Sequence, residues 1–169
     1  MNILETDRLL IREIVEDDAP FINALLNSPG FLKYIGDRGV RSDDDARTFI
    51  HERLRKSYEV NGYGLYAVLL KTDSTPVGMC GFVRRDTLPG PDLGFAFLPE
   101  FEGKGFGTES SLVLLDFGRD ELNFDDLYAI TTLDNAASIK LLEKLGFRFD
   151  KTIDMPNGET LKRFSTKLN

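Results

Sequence analysis

The chain has one cysteine, one histidine and no long apolar run among its 169 residues, and each shortage excludes a class of function. Cys80 alone cannot close an internal disulfide. One histidine with one cysteine leaves no zinc set, so no metal is expected. No stretch approaches the roughly 18 apolar residues of a membrane span, and the N-terminus lacks the basic and then apolar pattern of an export leader. A cytoplasmic protein that enters no membrane is the expectation. Basic charge is short as well. With 21 Lys and Arg against 28 Asp and Glu, the net charge is −7 and the pI near 4.8. A nucleic-acid groove wants a basic face, so no nucleic-acid partner is expected. An acidic field instead raises the local concentration of amines or basic peptide ends; surface acids kept for solubility are the alternative.

Two phosphate-binding signatures are also missing. The only Gly-Lys, Gly103-Lys104, is followed by Gly105 where a P-loop needs Ser or Thr. Gly103, Gly105 and Gly107 are spaced Gly-x-Gly-x-Gly and lie past mid-chain, whereas a dinucleotide fingerprint reads Gly-x-Gly-x-x-Gly in a first βαβ unit.

What is present is a glycine turn in Pro99-Glu100-Phe101-Glu102-Gly103-Lys104-Gly105-Phe106-Gly107-Thr108-Glu109. The glycines let the backbone turn sharply and remove the Cβ atoms that would hold a ligand away. A helix opening at about Phe106 points its free N–H groups back into that turn, where they and the helix dipole favour an anion. The stretch reads as a pyrophosphate cradle, with a plain strand-to-helix turn as the alternative.

At 41% hydrophobic, the chain can form one sizeable core and is short for two, so residues 1–169 read as a single domain. Arg8 to Glu13 is a strand. Asp17 then caps a helix with Phe21, Ile22, Leu25 and Leu26 on one face, stopping at Ser28-Pro29-Gly30. Ser42-x-x-Asp45 opens a second helix that ends at Asn61-Gly62. Tyr63 to Lys71 and Pro76 to Arg84 form a hairpin around Thr72 to Thr75, and Cys80 sits in this second strand as a packed thiol. Asp92 to Leu98 precedes the cradle and Leu127 to Thr132 follows its helix. A helix from Asn135 leads to Phe147–Asp154 and Thr160–Lys167, which are joined through Asn157-Gly158. The predicted order is βααβββαβαββ, an α/β fold with a mixed central sheet and helices on both faces.

At this point the chain resembles the GNAT superfamily of acyl-CoA N-acyltransferases. The glycine turn looks like that family's coenzyme A loop, and Asn135-Ala136-Ala137-Ser138 closing on Glu143-Lys144-Leu145-Gly146-Phe147 looks like its second signature. Glu5-Thr6-Asp7-Arg8-Leu9-Leu10-Ile11-Arg12 is similar to the opening strand of the branch with the ribosomal-protein alanine and serine N-acetyltransferases. One departure is Glu102, where the family usually carries Gln or Arg; a carboxylate beside a pyrophosphate should turn outward.

The resemblance implies a GNAT-like sheet whose neighbouring central strands splay apart to admit acetyl-CoA. Phe95 to Leu98 would line the split, with main-chain groups of Phe97 and Leu98 on the pantetheine arm. Backbone amides of Gly103, Lys104, Gly105, Phe106, Gly107 and Thr108 would take the pyrophosphate. The Lys104 side chain adds a charge contact or stays solvated. Asn135 would contact the pantetheine arm, and Ser138 would protonate the leaving thiolate directly or through water; simple helix capping is the alternative for both. The tyrosine that several family members use in this helix is Leu142 here, and Tyr34, Tyr66 and Tyr128 read as packing residues.

Some ribosomal-protein enzymes carry a glutamate in the strand matching Leu127 to Thr132, where this chain offers Ile130. Asp92 is therefore the expected general base, ahead of Glu100 and Asp134, with an ordinary turn residue as its alternative. The candidate catalytic residues are Asp92, Ser138 and Asn135. The expected activity is direct acetyl transfer from acetyl-CoA to a primary amine, foremost a protein or peptide N-terminus of basic character, in a ternary complex formed by a monomer or homodimer. Backbone N–H groups near Phe97 would stabilise the oxyanion. The acceptor pocket is expected between residues 31–38 and the hairpin at residues 155–158. A small-molecule amine and a non-catalytic acyl-CoA-binding module are the alternatives.

Overall fold

Alternating and continuous apolar runs build one eight-stranded mixed sheet in the computed structural model, which describes residues 2–169, with side chains from residue 4 onward. The strands are β1 (Asn2–Glu5), β2 (Leu9–Glu13), β3 (Leu65–Leu70), β4 (Pro76–Val83), β5 (Asp92–Phe97), β6 (Asp126–Thr132), β7 (Arg148–Asp154) and β8 (Thr160–Lys167), in the spatial order β1-β2-β3-β4-β5-β6-β8-β7. Neighbours are antiparallel except β5 and β6, which run parallel. β3 and β4 are buried almost throughout because both sheet faces are covered.

On one face lie α5 (Phe106–Asp120) and α6 (Ala136–Lys144). Their Phe106, Leu114 and Leu142 pack with Val68, Cys80, Phe82, Leu93 and Leu127. The other face carries α1 (Ala19–Leu26), α2 (Pro29–Tyr34), α3 (Asp43–Phe49) and the π-helical stretch Ile50–Arg55, which runs on into α4 (Lys56–Asn61), whose Tyr58 stacks on Tyr66 of the first cluster. On this second face Ile22, Leu25, Ile50 and Leu54 close on Ala67, Leu69 and Met79. Truncating a wholly buried member such as Leu114 to alanine would cost about 2–5 kcal/mol.

Three local features differ from the sequence reading. β1 adds an edge strand, a four-residue run too short to show a period. The chain does not stop at Ser28-Pro29-Gly30: Pro29 starts α2, since proline at the first helical position lacks only an N–H that would be unpaired anyway. Asp17 is exposed, and it is the buried Asp18 that accepts from Val15 N–H at 2.8 Å. Asp18 also takes both Arg12 amino groups, at 2.8 and 2.9 Å, which ties the start of α1 to β2.

The feature that positions the site is the β5/β6 boundary. The ladder between them holds one pair, Asp92 with Tyr128, and then stops. Beyond it β5 stays paired with β4 up to Phe97 and β6 with β8 up to Thr132, so the two strands diverge and leave a gap in the sheet.

Candidate active site

One cavity of about 760 Å³ passes through that gap. Phe97, Gly103, Gly105, Phe106, Gly107, Thr108, Asn135 and Ser138 line it on the α5/α6 side; Phe31, Arg38, Arg85, Asp92, Met155 and Asn157 line it on the other. Both segments expected at the acceptor pocket therefore reach the cavity.

The cradle is shaped as the glycines demand. Gly103 and Gly105 adopt left-handed backbone (φ 73° and 84°), and Gly105 is the N-cap of α5. A Cβ on Gly107 would stand 3.2 Å from Leu141 Cδ2 and 3.6 Å from Phe97 Cε2, so the helix start closes tightly on α6 and β5. Arg8, a residue the sequence reading did not single out, holds this turn from outside. Its Nε lies 2.7 Å from Glu109 Oε1, its Nη1 donates to the Lys104 carbonyl at 3.1 Å, and its guanidinium sits 4.4 Å from the centre of the Phe106 ring. Burial alone would raise the Glu109 pKa, but hydrogen bonds from Thr6 and Arg8 outweigh it and hold the carboxyl below its ordinary value. The Lys104 side chain is exposed and does not line the cavity; Lys140 and Lys144 of α6 line it instead. Glu102 is exposed at the rim, beside Gly30.

On β5, the Leu98 N–H donates to the Val77 carbonyl at 2.9 Å and so is turned toward β4. Main-chain groups alternate sides along a strand, so Phe95 and Phe97 direct theirs into the gap, where no strand pairs with them. The Leu98 N–H is therefore taken up within the sheet, contrary to its expected part in a ligand contact, while the main-chain groups of Phe95 stay open beside those of Phe97. On β6, the Thr131 hydroxyl is buried with no hydrogen-bond partner and its residue lines the cavity. A Cβ-free turn, an unpaired strand edge and an orphaned hydroxyl along one channel suit the pyrophosphate and amide-bearing arm of coenzyme A.

Asn135 caps α6, its Oδ1 accepting from Ser138 N–H at 3.3 Å, which leaves its amide nitrogen and the Ser138 hydroxyl free at the cavity wall. Leu142 is core, as is Tyr66. Tyr34 differs from its expected packing role: it is half-buried on α2 and lines the cavity. Placement of Tyr34 depended on α2, which the sequence did not reveal.

Asp92 sits where β5 and β6 part, 1% exposed, with Arg85 Nε at 3.2 and 3.4 Å from its two oxygens. Burial pushes its pKa up to about 6, with Arg85 pulling the other way. At pH 7 it is mostly ionised and able to accept a proton. Glu100 and Asp134 are exposed and do not line the cavity, leaving Asp92 as the expected carboxylate that does.

A sheet opened beside a glycine cradle, with a cavity reaching both faces, defines an acyl-CoA-type transferase, and residues 8–148 match the family model for the acetyltransferase (GNAT) domain. The chain belongs to that family and is an acetyl-transferring enzyme. It is 26% identical to the uncharacterized N-acetyltransferase YnaD of Bacillus subtilis over 86% of this chain and 82% of that protein. It is 39% identical to the spermidine N(1)-acetyltransferase of Escherichia coli K12 over 81% of this chain and 71% of that one. In fold it is similar to the ribosomal L7/L12 α-N-protein acetyltransferase RimL in complex with coenzyme A. That likeness has a TM-score of 0.85 at 15% identity, with 99% of this chain and 98% of that chain covered. No helix of the described residues is long and apolar enough to cross a membrane.

Proposed function

We propose that residues 1–169 act as one domain that moves an acetyl group from acetyl-CoA to the α-amine of a peptide or protein N-terminus, by direct transfer while both substrates are bound. The observation that carries this reading is the single cavity through the sheet, with the glycine cradle on one face and Asp92 on the other. Two substrates entering from opposite faces meet at the gap, which favours transfer without an enzyme-bound acyl group. Acetyl-CoA supplies the thioester; the new bond is amine nitrogen to acetyl carbon and the broken bond is carbon to sulfur.

The chain's own residues supply orientation and proton traffic. Main-chain amides of residues 103–108 hold the pyrophosphate, and the unpaired edge of β5 at Phe95 and Phe97 holds the pantetheine arm. Asn135 adds its free amide nitrogen to that arm. Asp92 accepts the proton lost by the amine, and Ser138 returns one to the departing sulfur, directly or through water. The resemblance of the opening strand to the ribosomal-protein branch supports an α-amine. Chemistry supports it too: with a pKa about 8, roughly a tenth of an α-amine is neutral at pH 7, against well under a thousandth of a lysine side chain.

Initial rates for an α-amino peptide and for its N-terminally blocked, lysine-containing counterpart, measured from pH 6 to 9 by release of coenzyme A thiol, test the reading. Faster acetylation of the α-amino peptide at pH 7 is the expected result. Equal or greater transfer to the lysine side chain at that pH would sink it.

A further inference from the structure

The net charge of −7 belongs to the whole chain, yet the acceptor half of the cavity is walled by arginines. Arg38, beyond the end of α2, lines the cavity with its guanidinium 5.9 Å from the centre of the Phe31 ring. Among the described residues it makes no ion pair or hydrogen bond. Arg85 meets Asp92 through Nε alone, which leaves both terminal amino groups without a partner. Arg53, 6.0 Å from the centre of the Phe49 ring, stands close by.

The acids in this half are Asp92, engaged by Arg85, Glu159, whose Oε1 accepts from Asn157 Nδ2 at 2.9 Å, and the exposed Glu102 at the rim beside Gly30 of α2. Arg38 is exposed at the cavity mouth, where partial loss of water around its guanidinium and the like charges of Arg85 and Arg53 lower its pKa against the opposite pull of Glu159. A guanidinium held unpaired among other guanidinium groups gains most from a planar anion, which it binds through two parallel hydrogen bonds.

We propose that the acceptor carries a carboxylate beyond its reacting amine, held between Arg38 and the free terminal amino groups of Arg85. The inference rests on the acetyl-transfer reading above and names the acceptor's chemistry. Arg85 then grips the base through Nε and the acceptor through its outer nitrogens, so that one planar group sets the amine beside Asp92. The carboxylate comes either from a free amino acid or from an acidic side chain close to a peptide N-terminus. A polyamine is disfavoured, because its ammonium groups would face Arg38 and Arg85.

The test uses the full chain, acetyl-CoA and five acceptors: the C-terminal amides of seryl-glutamyl-alanine, seryl-glutaminyl-alanine and seryl-lysyl-alanine, free glutamate, and spermidine. The expected result is a kcat/KM at least about tenfold higher for the glutamyl than for the glutaminyl peptide, carried mainly by KM, with the lysyl peptide and spermidine lower still. Arg38→Gln should erase the glutamyl preference and Arg38→Lys restore part of it. A melting shift with acetyl-CoA in each variant reports that the fold is intact. Free glutamate outperforming the glutamyl peptide assigns the carboxylate to an amino acid; the reverse assigns it to a peptide. Transfer that is equal for glutamyl and glutaminyl peptides, or best for spermidine, overturns the carboxylate and leaves the acetyltransferase. No transfer to any of the five, with acetyl-CoA bound, overturns the amine-acetylation reading and this inference with it.

Discussion

Arg8 on the turn into β2 and Glu109 in the first turn of α5 form an ion pair at 2.7 Å across a hundred residues of sequence, and the glycine cradle hangs between them. Thr6 also donates to Glu109, and Arg8 donates to the Lys104 carbonyl inside the loop itself. The cradle's shape thus depends on the opening strands as much as on its own glycines.

Arg8→Ala or Glu109→Gln should therefore weaken acetyl-CoA binding about tenfold, the equivalent of about 1.4 kcal/mol. Both groups are partly exposed, so the melting temperature of the free protein should change little. Isothermal titration of coenzyme A alongside thermal melts checks both halves of this expectation. An unchanged affinity would mean that the loop keeps its form unaided.

Gly105→Val places a β-branched residue at φ 84° and crowds Arg8 Nη2, which an added Cβ would approach to 3.3 Å. A backbone in that region costs a non-glycine residue on the order of 1–3 kcal/mol. The wild-type protein should gain roughly 2.7 kcal/mol of stability from acetyl-CoA at 100 times its dissociation constant. In the variant the melting shift should vanish. A shift in the wild type with NAD but not with coenzyme A would contradict the assignment of the cradle.

Asp92→Asn should lower kcat about 100-fold while leaving coenzyme A affinity nearly intact. With its pKa near 6, Asp92 gives kcat/KM a rise through that pH, which should disappear in the variant, while the second rise set by the acceptor's own amine remains. Stability should move the other way. A carboxyl whose folded pKa lies above its unfolded value of about 3.9 stabilises the fold fully below that value and loses the contribution as pH rises through 6. Asp92→Asn should consequently melt at or above the wild type at pH 8, with the difference closing below pH 4. Thermal melts at the two pH values measure it.

Ser138 and Tyr34 both line the cavity, and their variants separate the two hydroxyls. Ser138→Ala should cost roughly tenfold in kcat, less than a positioned acid usually supplies, because water can replace the hydroxyl. Tyr34→Phe should stay within about threefold. The larger loss appearing in Tyr34→Phe would move the acid role to α2.

Much of this arrangement is legible in the order of residues. Glycine spacing, Pro99 and the apolar run after Phe106 mark the cradle because turns and helix starts are local events. The hairpins at Thr72–Thr75 and Asn157-Gly158 follow from turn chemistry of the same range. Asp92, Asn135 and Ser138 all reach the cavity, as their strand and helix starts suggest. The local signals mislead at Pro29, where a residue that ends helices also begins them, and at Asp17, where the neighbouring Asp18 finds Arg12 on a different element.

The sequence by itself determined most of the elements, all but β1 and α2, together with the glycine cradle and the sum of charge, because each depends on residues near one another along the chain or on no arrangement at all. Tertiary structure alone decided where β5 and β6 part, which strand groups stay unpaired there, and that Arg8 braces the loop. It also decided that a chain of net charge −7 lines its acceptor pocket with Arg38 and Arg85. The physical reason is range. Screening confines electrostatic influence to roughly 8 Å at physiological ionic strength. An acceptor is therefore recognised by the few groups that folding brings within reach, and the total counts for little.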